Sequence, residues 1–146
     1  MIRPITVLVM IGLCSFSLVS FAHDGAKGIV KERMDRFSQN QENLKQIKSL
    51  LKNGDLTSIA PLALEIRDWA IEMHEYFPEG TDGKPSEASP QIWEDFTGFK
   101  LAAKANAEAA DSLRNAALSG NKKDVLKALK ETASTCAGCH KVYRLN

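Results

Sequence analysis

Along most of the chain the apolar residues fall three and four apart, the spacing that gathers them on one side of a helix. Over residues 28–52 they are Ile29, Val30, Met34, Phe37, Leu44, Ile47 and Leu51. Asn53-Gly54 closes this first helix, because both residue types tolerate the left-handed conformation at a helix end. A second helix is expected from 56 or 57 to 77. It carries Ile59, Leu62, Ile66, Trp69, Met73 and Phe77 on one face, and Pro61 falls early enough that its missing amide hydrogen costs little. Ser89-Pro90 opens a third, with serine as cap and proline as the first helical residue. Ile92, Trp93, Phe96, Phe99, Ala103, Ala110, Leu113 and Ala117 follow before Gly120 ends it. Asn121, with Asp124 three residues on, starts the fourth. Its inner face is Val125, Leu126, Leu129, Ala133, Cys136 and Tyr143. Residues 78–89 are the one long irregular segment, and no stretch alternates like a strand.

Four helices of similar length, joined by two short connections and one longer one, predict an all-α fold: an up-down-up-down four-helix bundle. The alanines over residues 101–117 allow close helix approach, and they are also good helix formers. Bundles of this kind often hold a cofactor between their helices.

The first residues do not fit the bundle. Arg3 precedes a nearly unbroken apolar run over residues 5–21, and Ser20-Phe21-Ala22 supplies small residues where a signal peptidase reads. Residues 1–22 are therefore expected to be a secretory signal peptide, leaving residues 23–146 as one domain in the periplasm. The apolar run is short for a retained span. Cys14 within it follows bulky Leu13, a poor fit to a lipoprotein cleavage site, so no lasting membrane insertion is expected. The whole chain has 19 basic and 18 acidic residues. Without Arg3 the two balance, which argues against nucleic acid as a partner.

Export also changes the cysteine count. Without Cys14 the remaining cysteines are Cys136 and Cys139, which could pair as a disulfide in an oxidising compartment. The next residue points elsewhere. Cys136-Ala137-Gly138-Cys139-His140 is C-x-x-C-H, the attachment pattern of haem c. Cysteines three apart share one side of a helix turn, so each thiol can add to one vinyl group, and the adjoining histidine reaches the iron. Small Ala137 and Gly138 leave room for the macrocycle edge. A structural zinc site would want four nitrogen or sulfur ligands, and the mature chain has two cysteines and three histidines, of which His23 lies at the terminus. A redox dithiol would want a strand-to-helix context that the pattern lacks.

The mature chain resembles the class II c-type cytochromes, the cytochrome c′ family, in which the haem sits near the C-terminus of a four-helix bundle. The matching pieces are Cys136-Ala137-Gly138-Cys139-His140 followed by Tyr143-Arg144, the corner Phe77-Pro78-Glu79-Gly80-Thr81, Ile92-Trp93, and Arg33 with Phe37. The resemblance implies one covalent haem c with His140 as proximal iron ligand and a sixth position left empty under Phe37. NO and CO are then the expected ligands, and O2 is disfavoured without a distal hydrogen-bond donor. It further implies Arg33 as partner of a haem propionate, Arg144 beside the proximal face, and Phe77 and Ile92 near the haem. Electron exchange with redox proteins and a homodimer through the first two helices are also implied. An enzyme such as a peroxidase would want distal acid–base groups, and Phe37 stands in that place. The alternative is a six-coordinate, low-spin electron carrier with Met34, one turn before Phe37, on the iron. His74, flanked by Glu72 and Glu75, reads as a solvated edge rather than a ligand, and Trp93 and Phe99 read as bundle core.

Overall fold

The structure, a computed structural model, describes residues 25–145. The expected signal peptide, its cleavage site and Cys14 lie outside the described residues. In chain order come α1 (Gly28–Asn53), α2 (Ile59–Glu72), a 3-10 turn (Met73–Tyr76), α3 (Gln91–Glu94), α4 (Phe96–Ser119) and α5 (Lys122–Tyr143). The four long helices make the bundle. Among the described residues the β pairing consists of one antiparallel bridge, Ala88 with Arg144.

Helix ends follow local chemistry. Gly54 takes φ 83°, and its amide closes α1 on the Leu50 carbonyl. The Asn121 side chain accepts from the Lys123 amide at 3.0 Å to start α5. Two expected helices are divided differently. α2 begins at Ile59 rather than 56 or 57, because the Asp55 carboxylate accepts from the Ser58 amide at 3.3 Å and holds residues 55–58 in a turn. It tightens into the 3-10 turn before Phe77, whose position ahead of Pro78 disfavours helical geometry. The third helix breaks at Asp95. The Ser89 hydroxyl does accept from the Gln91 amide at 3.2 Å, but α3 lasts one turn. Asp95 leaves the helical region (φ −129°, ψ 61°) and its carboxylate caps α4 by accepting from the Gly98 amide at 2.9 Å. A Cβ on Gly98 would sit 2.0 Å from the Asp95 carboxylate and 2.6 Å from the Tyr143 hydroxyl, so any other residue here must displace one of these side chains.

The core has two parts. At one end Ile47, Ile59, Ile66, Leu113 and Val125 are almost wholly buried among alanines of α2, α4 and α5. At the other, Trp69, Met73, Phe77, Ile92 and Phe99 form an aromatic cluster with Phe37, Trp93 and Tyr143 at its margin. Leu126 and Ala133, expected inside, are exposed. Val125, Ala128, Leu129 and Thr132 take the buried stripe of α5, which turns those two positions to its flank. Small residues let α2 approach α4, and α4 approach α5, along their lengths, whereas α1 packs on α2 and the 3-10 turn and stays off the other two. That separation opens a cavity beside the aromatic cluster. Among the described residues no helix is long and apolar enough to cross a membrane.

Candidate cofactor site

The space between α1 and the α4–α5 pair is a cavity of about 570 Å³, within the range of cofactor pockets. α1 contributes Arg33, Met34, Phe37 and Leu44; α4 contributes Phe99, Ala103 and Asn106; α5 contributes Cys136, Cys139, His140 and Arg144. The strap over residues 77–92 closes one side with Phe77, Glu87, Ala88 and Ile92. All eight residues expected at the site from sequence therefore line one cavity, although they come from four separate parts of the chain. Met34 lines it too. His74 does not: its Nδ1 lies 3.1 Å from the Ile71 carbonyl oxygen, outside the cavity. Trp93 is core, donating from Nε1 to the Phe77 carbonyl at 3.0 Å. Phe99, expected only as core, is buried and also faces the cavity.

Before any cofactor is attached, Cys136 and Cys139 are half-buried thiols with no disulfide between them. Burial pushes both up, Cys139 to about 11 with the neighbouring Cys136 adding to the effect. Neutral S–H groups result at ordinary pH, the opposite of the lowered thiol a dithiol redox site relies on. Burial, then the positive charge of Arg144, pushes His140 below its usual value. Its imidazole is neutral near pH 7, with a lone pair free for a metal. Two neutral thiols and a neutral imidazole on one helix, facing an aromatic slot, are the donor set haem c requires.

The two arginines differ. Arg33 is 2% exposed. Its Nη1 donates to the Tyr76 carbonyl at 3.0 Å and the Thr81 hydroxyl at 2.7 Å; its Nη2 donates to the Thr81 carbonyl and to the Ser86 hydroxyl at 2.7 Å. Four bonds use all four Nη hydrogens and leave Nε–H. The guanidinium also lies 4.4 Å from the Phe77 ring centre. Arg33 is thus not solvated: it ties the strap to α1 while also lining the cavity. Arg144, exposed, donates from Nε to Glu87 at 2.7 Å. Backbone bonds flank this pair, Ser89 amide to Tyr143 carbonyl at 3.0 Å and Leu145 amide to Glu87 carbonyl at 2.8 Å. The strap is so fastened at one end to α1 and at the other to the turn of α5 that carries His140.

Sequence reasoning missed Asn106. It is 5% exposed, and its amide donates to the Thr135 hydroxyl at 2.9 Å and lies 3.4 Å from the Cys136 sulfur. A polar residue midway between Ala103 and Ala110 on an otherwise apolar face was the available signal. Ser86 and Glu87 gave none, since their roles depend on contacts with distant residues.

Known proteins resemble this chain in sequence and fold. The family model described as Cytochrome C′ matches residues 28–144. A cytochrome c′ of Pararhodospirillum photometricum is 32% identical over 119 residues, covering 79% of this chain and 94% of the relative. A cytochrome c′ of Rhodospirillum rubrum is 42% identical over 69 residues, an alignment that spans 47% of each chain. Among solved structures, cytochrome c′ of Alcaligenes xylosoxidans matches with a TM-score of 0.72 at 23% identity, covering 81% of this chain and 94% of that one, in variants with carbon monoxide bound and in complex with nitric oxide. The cavity, its donor set and these relatives agree that the chain belongs to the cytochrome c′ family and carries a covalently bound haem c.

Proposed function

We propose that this protein is exported to the periplasm, with residues 1–22 removed, and binds NO and CO at a five-coordinate, high-spin iron while exchanging electrons with redox partners. Bound through Cys136 and Cys139, haem c supplies a redox-active iron with one position left for a diatomic ligand. His140 offers the proximal nitrogen, and burial, with the charge of Arg144 as a smaller influence, favours the neutral imidazole before ligation. The observation that carries the reading is Phe37. It stands on the α1 wall across the cavity from α5, its ring edge-on to Trp69 with centroids 5.4 Å apart and to Phe77 at 6.4 Å. Met34 and Leu44 extend the apolar wall, while Ser38 and Gln41 lie at the exposed rim. Such a wall admits small uncharged ligands and offers O2 little stabilisation.

The second reading rests on Met34, which lines the same cavity and as sixth ligand would give a low-spin electron carrier. Ferric and ferrous absorption spectra, with and without NO, separate the two. A five-coordinate high-spin spectrum is expected, with faster CO association in Phe37→Ala. A methionine-to-iron charge-transfer band lost in Met34→Leu would overturn the open site.

A further inference from the structure

Trp69 stands directly behind the Phe37 ring and does not line the cavity. Its indole is 3% exposed and held on its other sides. The Tyr76 ring meets it edge-on at 5.0 Å, and the Arg36 guanidinium lies 5.5 Å from its centre. Arg36 is fixed in turn by the Tyr76 hydroxyl at 3.2 Å and by Glu72 at 3.7 Å. Phe37, by contrast, is only half-buried and lines the cofactor cavity with its other side. A ring so placed is held forward over the cavity by the support behind it, and withdraws into the space that a smaller support leaves.

A second feature concerns the choice of tryptophan. The Trp69 Nε1–H is buried and has no acceptor among the described residues. An unpartnered buried donor costs stability, which a phenylalanine or leucine at this position would avoid. Packing alone does not call for an indole there, whereas a broad, immobile backstop for Phe37 does.

We infer that Trp69 is a positioning residue for the distal face: it sets the rest position of Phe37 and thereby the rate at which a diatomic ligand enters. The inference rests on Phe37 acting as the lid. An aromatic edge contact biases a side-chain equilibrium by about two- to tenfold. Trp69→Leu in the haem-bearing protein should therefore speed carbon monoxide association by about two- to tenfold. In the Phe37→Ala background the same substitution should add nothing, because the residue it acts through is gone. Trp69→Phe, which keeps a ring and removes the orphan N–H, should speed association less and lower the thermal midpoint by under about 4 °C. Unchanged association in Trp69→Leu, or an equal increment with and without Phe37, overturns the inference while leaving the lid intact. Unchanged association in Phe37→Ala instead removes the lid reading itself. A Trp69→Phe variant that melts well below that limit with an unaltered rate assigns Trp69 a packing role only.

Discussion

Arg33→Ala tests the strap most directly. The substitution deletes four hydrogen bonds from a buried guanidinium to Tyr76, Thr81 and Ser86. Hydrogen bonds from a charged donor contribute roughly 1.5–3 kcal/mol apiece. Desolvation takes back several kcal/mol, and burial indeed lowers the Arg33 pKa despite the opposing influence of Asp82. The acceptors left behind recover unequally. Thr81 is half-buried and can reach water, and Ser86 still accepts from the Ala88 amide at 3.1 Å, whereas the Tyr76 carbonyl loses the donor that Arg33 supplied. A net loss of about 3 kcal/mol is expected in urea unfolding of the haem-bearing protein. Amide exchange should accelerate most over residues 81–89, which depend on this anchor. Arg33→Lys should recover less than half of the loss, since an ammonium cannot span acceptors that a planar fork reaches together. A loss below about 1 kcal/mol, with exchange over 81–89 unaltered, would refute the anchoring role. A shifted haem potential with the strap unperturbed would instead place Arg33 on a propionate, as the family resemblance implied.

Two further outcomes bear on the helix ends. Gly98→Ala should destabilise by about 1–2 kcal/mol, the gain in helix propensity being outweighed by the loss of the Asp95 cap and by overpacking against Tyr143; denaturant unfolding measures it, and a stabilised variant would show that Asp95 and Tyr143 yield freely. Hydrogen bonds from Ser58, its hydroxyl foremost, hold the fully exposed Asp55 carboxyl below its usual value. A depressed carboxyl contributes stability that is present above its unfolded value and lost as pH falls through its folded one. Asp55→Asn should therefore lower the melting temperature slightly near neutrality and flatten its fall below about pH 4, where the parent has lost the same contribution; an acid slope identical to the parent's would count against the cap.

What the sequence determined by itself was whatever depends on neighbours in the chain. Asn53-Gly54 ends α1 and Asn121 starts α5 because a left-handed glycine and a side-chain cap act within a few residues. The C-x-x-C-H run carried the cofactor class for the same reason: three donors on one helix turn need no distant partner. Helical spacing also marked Ile47, Ile66, Trp69 and Leu113 as interior. Where three residue faces compete, spacing alone misassigned Leu126 and Ala133, since a stripe slightly broader than the real one takes in its flank. The tertiary structure decided the rest. Nothing local to Asp95 distinguishes a mid-helix acid from a cap until Gly98 and Tyr143 close around it. Arg33 reads identically whether its fork meets solvent, a propionate or the strap, because a long flexible side chain goes where acceptors more than forty residues away happen to stand. The separation of α1 from α4 and α5, which makes the cavity, is set by side-chain volumes on facing helices. Periodicity records which side of a helix is apolar, and carries no measure of the distance to the helix opposite.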